Sequence, residues 1–415
     1  MMEPRAADLV EAVFREERGR LLAALAARFG DLDLAEEVAQ EAVEAALTRW
    51  PVDGVPEVPL AWLLTTARRR AVDRIRRQRA QAQRLAVWAA EVDRTGVTSV
   101  PARADELPDE RLTLFFTCCH PALPLKAQVA LTLRFLAGMT TPEVAAALLV
   151  PVPTMQQRIV RAKRKITQAR IPFRMPDSEQ LRPRLAAVLT VVYLLFTEGY
   201  ASTEDEELIR TELSDEAIRL GRILHRLLPQ EGEVTGLLAL MLLTDARRAA
   251  RTGPDGVPIS LEDQNRRRWD TDKISEGRSL VTEALAAPPA GPYAVQAAIS
   301  ALHDEAPDVA TTDWSQVVAL YDVLLRLTPS PVVELNRAVA VAMRDGPAAG
   351  LDLIERVAAA PELRGYHPLP AARADLLARL GRPAEAAQAY RAALELVGNE
   401  PERIYLTRRL AALRT

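Results

Sequence analysis

The chain has 415 residues, 49% of them apolar and 26% charged, with a net charge of -3 and only two cysteines, Cys118 and Cys119. Its length allows several domains with full cores. The near-neutral charge excludes a chain that clings to nucleic acid along its whole surface, so any such binding must come from local basic stripes. Two adjacent cysteines exclude a disulfide framework and suit a reducing cytoplasm. Ala, Leu, Arg and Glu dominate while β-branched runs are scarce, which predicts an all-α fold. The N-terminus mixes charges into its apolar positions and does not read as a signal peptide. The longest apolar run, Leu185 to Phe196, is shorter than the roughly 20 residues of a membrane span. A cytoplasmic protein without a membrane partner is expected.

In chain order, Leu9 to Phe29 reads as an amphipathic helix with Val10, Val13, Phe14, Leu21, Leu22 and Leu25 on its apolar side. Gly30 and Asp31 stop it. Asp33 to Trp50 is a second helix with an acidic face of Glu36, Glu37, Glu41 and Glu44. Pro51 to Pro59 reads as a loop. A third helix begins at Leu60 and carries Arg68, Arg69, Arg70, Arg74, Arg76, Arg77 and Arg79 against the single acid Asp73. Trp62 opens it, and an aromatic beside a basic stripe suits single-stranded DNA, because arginines attract phosphates and a ring can stack on a base. The alternative is that Trp62 belongs to the core and the arginines merely solvate the helix.

Gln81 to Asp109 reads as a connector, helical through Trp88 and looser around Thr95-Gly96 and Pro101. Asp109 to Leu136 is helical again, interrupted at Cys118-Cys119-His120-Pro121. Two thiols beside an imidazole raise the question of a metal. Adjacent cysteines chelate a tetrahedral ion poorly and no second ligand pair is near, so they are read as structural thiols. No metalloprotease, phosphate-loop or dinucleotide motif occurs, and no carboxylate pair is marked as catalytic. The sequence therefore predicts no catalytic site, no metal and no cofactor, and not an enzyme.

Thr140 to Ile166 reads as helix, turn, helix. Thr140 or Thr141 caps the first helix, with Pro142 and Glu143 in its first turn and Val144, Ala145 and Leu148 as its apolar stripe. Val150-Pro151-Val152-Pro153 breaks it, and Thr154 starts the second helix. Met155, Ile159, Ala162 and Ile166 recur at spacings of four, three and four and share one buried face. Gln156, Gln157, Arg158, Arg161 and Arg164 then face elsewhere, where amides and guanidiniums can read base edges and hold phosphates. An ordinary amphipathic helix with a solvated basic face fits the same pattern.

Ile171 to Pro183 is a second connector with three prolines. Leu185 to Tyr200, Leu213 to Leu228, Glu233 to Thr252 and Lys273 to Leu285 read as helices. Gly253 to Pro258 is a loop. The motifs Glu198-Gly199-Tyr200 and Arg268-Trp269-Asp270 read as partner-binding rather than core-filling. Near the end, Leu335 to Val357 and Leu377 to Leu396 each place two helices around a glycine turn. The spacing between those turns is close to the tetratricopeptide (TPR) period of about 34.

Ala35 to Ala42, followed by Ala61 to Arg77, resembles region 2 of bacterial sigma factors, and the helix-turn-helix resembles their region 4. The order and separation resemble the extracytoplasmic-function (ECF) subgroup, and the whole chain resembles the members with a C-terminal TPR-like extension. That resemblance implies region 2 over 1–80, a linker over 81–109, region 4 over 110–171, a Pro-rich connector over 172–184 and a helical regulatory domain over 185–415. It implies that Glu37, Gln40 and Glu41 dock on the β′ clamp helices of core RNA polymerase, with the β flap as a further contact. Trp62, Arg69, Arg70, Arg74 and Arg77 would capture the −10 element, although many relatives carry Asn where this chain has Arg69. Thr154, Gln156, Gln157, Arg158 and Arg161 would read the −35 element. The extension would regulate activity in place of a separate anti-sigma protein and could hold a protein or peptide partner. Two other readings use the same residues: a one-component helix-turn-helix regulator with a TPR sensor, and a TPR scaffold whose basic helices are incidental.

Overall fold

The computed structural model describes residues 6–85, 110–148, 150–200, 211–287 and 289–413, and among these every regular element is helical. Contacts divide the chain into two units, Met1–Val191 and Val192–Thr415.

Unit 1 begins with α1 (Ala6–Phe29), α2 (Leu32–Asp53) and α3 (Pro59–Leu85), which pack on one another. Leu21, Leu22 and Leu25 are buried as the spacing predicts. The side chains of Val10, Val13, Phe14 and Arg79, and the connector beyond Leu85 with Trp88, Thr95-Gly96 and Pro101, lie outside the described residues. Asp31 caps α2 by accepting from the backbone of Asp33 and Leu34. α2 runs on through Pro51 to Asp53, three residues past the expected end, and Gly54 closes it by donating to the Trp50 carbonyl.

The rest of unit 1 is α4 (Arg111–Cys118), α5 (Leu125–Leu131), a π-helical turn (Thr132–Leu136), α6 (Thr141–Ala147) and α7 (Val152–Gln168). Thr140 accepts from the Glu143 backbone while the Glu143 carboxylate accepts from the Thr140 N–H at 2.6 Å. Such a reciprocal cap is worth about 1 kcal/mol and fixes where α6 starts. α7 starts at Val152, not at Thr154: Pro153 is its second residue, where no helical N–H is required, so the proline pair opens the helix as well as ending the one before. The expected connector is shorter than read, because α8 (Ser178–Tyr200) already begins at Ser178 and contains Pro183. Pro183 and Glu179, whose carbonyl loses its helical donor there, are both exposed, so water can satisfy that carbonyl.

Unit 2 continues with α9 (Thr211–Leu227), α10 (Gly232–Asp245), α11 (Arg248–Arg251), α12 (Thr271–Ala286), α13 (Pro292–Glu305) and α14 (Trp314–Leu327). α10 is buried on nearly every side, which explains its unbroken apolar run. The Asp245 side chain, fully buried at its end, is held by Arg248 and Lys273 at 2.7 Å each. The chain ends in α15 (Pro331–Asp345), α16 (Pro347–Val357), α17 (Pro368–Arg379), α18 (Pro383–Leu396) and α19 (Glu400–Ala412). The turns α15–α16 and α17–α18 pass through Gly346 and Gly381 at φ 98° and 71°, a backbone conformation costly for other residues. Ala386, Ala389, Tyr390 and Ala393 are buried in one cluster with Leu335, Ala338 and Leu351.

In the two motifs read as partner-binding, Trp269 is buried and Tyr200 half-buried, while Arg268 and Asp270 are exposed. Trp269 is 6% exposed, with the Arg247 and Arg266 guanidiniums 5.3 and 4.5 Å from its ring centroid. Asp270 caps α12. Tyr200 stacks on Phe196 and lies under Arg251 at 3.8 Å. In both motifs a guanidinium from elsewhere in the chain sits over the ring as a cation–π partner.

Candidate nucleic-acid interface

α7 carries its stripe as the spacing predicts: Met155, Ile159, Ala162 and Ile166 are all buried. Fully burying an Ile or Met is worth about 1.5–3 kcal/mol, so this face fixes the helix's rotation. Thr154, Gln156, Gln157 and Arg161 are thereby exposed together, whereas Arg158 is half-buried. Val152 and Val160 are also exposed on α7, a feature that a search for polar readers passes over. An exposed methyl beside amides and a guanidinium matches the mixture of groups on major-groove base edges.

On α3, Arg69, Arg70 and Arg77 are exposed, and Trp62 is half-buried with its ring meeting Trp50 edge-on at 5.5 Å between centroids. The acidic and basic residues that the sequence assigns to different partners meet each other. Arg74 reaches Glu37 at 2.9 Å and Glu41 at 3.4 Å, and Arg70 lies 3.8 Å from Glu41. Gln40 stands exposed beside them. This seam is solvated, so each pair contributes at most about 1 kcal/mol and can open to a competing partner.

A second basic feature was not legible, because its residues come from different helices. Arg28 of α1 and Arg68 of α3 line a cleft of about 230 Å³ with Arg20, Leu60, Leu64 and Glu110. Burial, with Arg28 nearby, holds Arg68 below the usual guanidinium range.

Glu36 of α2 is turned the other way from Glu37 and Glu41. It meets Arg134 at 2.5 Å, Lys163 at 3.3 Å and Arg18 at 3.8 Å. Cys118 and Cys119 are buried, and the Cys119 thiol lies 3.5 Å from the Thr132 hydroxyl. Burial pushes Cys119 up to about 12 and Cys118 well above its ordinary value. His120 uses Nδ1 to accept from the Ala122 backbone. Among the described residues no helix is long and apolar enough to cross a membrane.

Three stretches of the chain match known families. Residues 13–81 match Sigma-70 region 2 and residues 116–166 match Sigma-70, region 4. Residues 184–285 match a family of unknown function (DUF6596). The uncharacterized protein R00370 of Rhizobium meliloti (strain 1021) is 42% identical over 398 residues, 95% of this chain and 93% of that protein. The ECF RNA polymerase sigma factor SigK of Mycobacterium ulcerans (strain Agy99) is 35% identical over 136 residues, 32% of this chain and 71% of SigK. SigK of Mycobacterium sp. (strain KMS) is 28% identical over 160 residues, 37% of this chain and 79% of that protein. With region 2 helices and a region 4 helix-turn-helix in the same chain, the protein belongs to the ECF RNA polymerase sigma factors.

Proposed function

We propose that the protein binds core RNA polymerase through α2, captures the −10 element along α3, reads the −35 element with α7, and so starts transcription of a specific set of genes in the cytoplasm. The observation that carries this reading is α7, whose four buried residues leave Thr154, Gln156, Gln157 and Arg161 together on its open side. Gln pairs bidentately with adenine and Arg with guanine in the major groove, and the half-buried Arg158 can still reach a phosphate at the groove edge. Val160 supplies an apolar contact for a thymine methyl. On α3, Arg69 and Arg77 track the backbone while Arg70 and Arg74 exchange Glu41 and Glu37 for phosphates. Releasing those carboxylates together with Gln40 presents an acidic patch for the β′ clamp helices, with the β flap meeting region 4.

The helices of unit 2 form the TPR-like regulatory domain in this proposal, and control activity through a protein or peptide partner. Support comes from the two glycine-turn helix pairs with a common buried cluster. The test is transcription in vitro by core polymerase with the full chain and with a chain ended after Tyr200, which keeps α8 whole. Equal activity and equal promoter choice would remove the regulatory role. Absence of transcription with either chain would remove the sigma-factor mechanism itself.

A further inference from the structure

Four buried polar atoms in one corner of unit 2 have no hydrogen-bond partner among the described residues: Nη2 of Arg266, Nε1 of Trp269, Nδ1 of His303 and Oδ2 of Asp304. A buried group left so costs about 1–3 kcal/mol, and more where it is charged. The side chains that carry them are otherwise held in place. Arg266 donates through Nη1 to the carbonyls of His303 and Ala306, at 2.5 and 2.7 Å. Asp304, its side chain fully buried, accepts at Oδ1 from Arg247 Nε at 2.7 Å. The Arg266 guanidinium lies 4.5 Å from the Trp269 ring centroid. The unpaired atoms are therefore fixed groups of a packed corner, not the ends of loose side chains.

Arg266, Trp269 and Asp304 also line a cavity of about 390 Å³, with Ile274 of α12 and Ala306 and Pro307 beyond α13 as apolar walls. Small-molecule sites occupy roughly 300–1,000 Å³. Arg278 of α12 and Glu305 of α13, also in its lining, pair at 2.9 Å with side chains 53% and 44% exposed, and such a solvated pair opens at little cost. The polar groups define what fits. Two N–H donors, one on a guanidinium, suit a carboxylate, and an unpaired carboxylate oxygen suits an ammonium group. The charges around the corner balance, Arg247, Arg266 and Arg278 against Asp304, Glu305 and Asp308. His303, held down at about 4 by burial, is neutral and leaves that balance as it is. A phosphate or a bare cation would upset it, whereas a zwitterion keeps it.

We propose that this corner of unit 2 binds a free aliphatic α-amino acid, with its carboxylate on Arg266 and Trp269, its ammonium group on Asp304 and its side chain against Ile274 and Pro307. Opening of the Arg278–Glu305 pair admits the ligand and brings it to the buried atoms, which then gain the partners they lack. The site lies wholly within unit 2 and does not rest on the sigma-factor reading.

The test is calorimetric titration of the full chain with leucine, isoleucine, valine and methionine. Two further probes, 4-methylpentanoate and 3-methylbutylamine, lack the ammonium group and the carboxylate respectively. At least one amino acid should bind at one site per chain, and both truncated probes should bind at least about tenfold more weakly. Asp304→Asn should lower the affinity for the amino acid by about tenfold or more, because the ammonium loses its charged partner. Ser275→Trp, a substitution at an exposed lining position that adds an indole to the cavity and leaves the four buried atoms untouched, should abolish binding. It decides the matter if Asp304→Asn fails to fold. No saturable binding of any of the four amino acids would overturn the proposal and leave the cavity to water. Equal affinity for 4-methylpentanoate, or undiminished binding by Ser275→Trp, would overturn it as well.

Discussion

Arg74 of α3 and Glu37 of α2 meet at 2.9 Å, so a residue assigned to promoter DNA holds a residue assigned to polymerase. The pair is a solvated one, with the two side chains 37% and 50% exposed, and its opening costs little. Free α2 and α3 thus mask each other's charge. Under the proposed function each partner would replace the other helix rather than add to a bare surface.

Arg74→Ala should therefore separate the two activities. Affinity for −10 fork DNA should fall, because a phosphate-binding guanidinium is gone. Affinity for core polymerase should hold or rise, because Glu37 and Glu41 are released. Glu41→Lys should weaken core binding, and the exposed Glu44→Lys on the same helix should leave it nearly unchanged. Fluorescence anisotropy on fork DNA and pull-down of core enzyme read the two effects, and equal loss of both in Arg74→Ala would contradict the exchange.

Arg161→Ala should cost about 1–3 kcal/mol at one base pair of the −35 element if the contact is to a base edge. A panel of singly mutated promoters should then show the loss vanish at that position and persist elsewhere. Met155→Ala, on the buried side of the same helix, should instead destabilise the domain by about 2–5 kcal/mol. An Arg161→Ala loss spread evenly over all promoters would reassign that residue to phosphate.

The thiols should be inert in the native protein. Cys119 is pushed up to about 12 and Cys118 well above the ordinary range by burial, so neither holds a thiolate near neutral pH. Alkylation at pH 8 should leave both unmodified in the folded chain and modify both in denaturant. Rapid modification of the folded protein would show that α4 opens readily.

His303 should make unit 2 acid-sensitive. Burial first, and then Arg247 and Arg266, hold its pKa down at about 4. Between that value and the ordinary 6.5 the unfolded chain binds the proton and the folded chain does not, so stability is full above about pH 6.5 and falls as pH drops towards 4. At about 1.36 kcal/mol per unit the loss is on the order of 3 kcal/mol. Thermal melts of the parent against His303→Asn should show the parent losing more between pH 7 and pH 4. Parallel curves would show that His303 is protonated inside the fold.

The readable parts of this fold are those governed by short-range rules. The capping box at Thr140 and Glu143, the four-residue stripe of α7 and the glycine turn at Gly381 depend on neighbours within about a turn, and each stands where its sequence spacing puts it. Prolines were misleading where position within the helix decides their effect: Pro153 opens α7, and Pro51 and Pro183 sit inside helices. Pairings across the chain left no local trace. Nothing near Trp269 announces that Arg247, 22 positions earlier, will cover its ring, nor does Glu36 announce Lys163, 127 residues away. The site residues were legible by type and face, and their mutual pairing was not.

The most direct measurement is transcription of a genomic DNA library by purified core RNA polymerase with and without this protein, with the 5′ ends of the transcripts mapped. The account predicts that adding the protein produces a small set of discrete start sites sharing two upstream elements, and that charge reversal at Glu41 abolishes them. Transcription indistinguishable from core enzyme alone, together with sequence-specific DNA binding by the protein in the absence of polymerase, would contradict it.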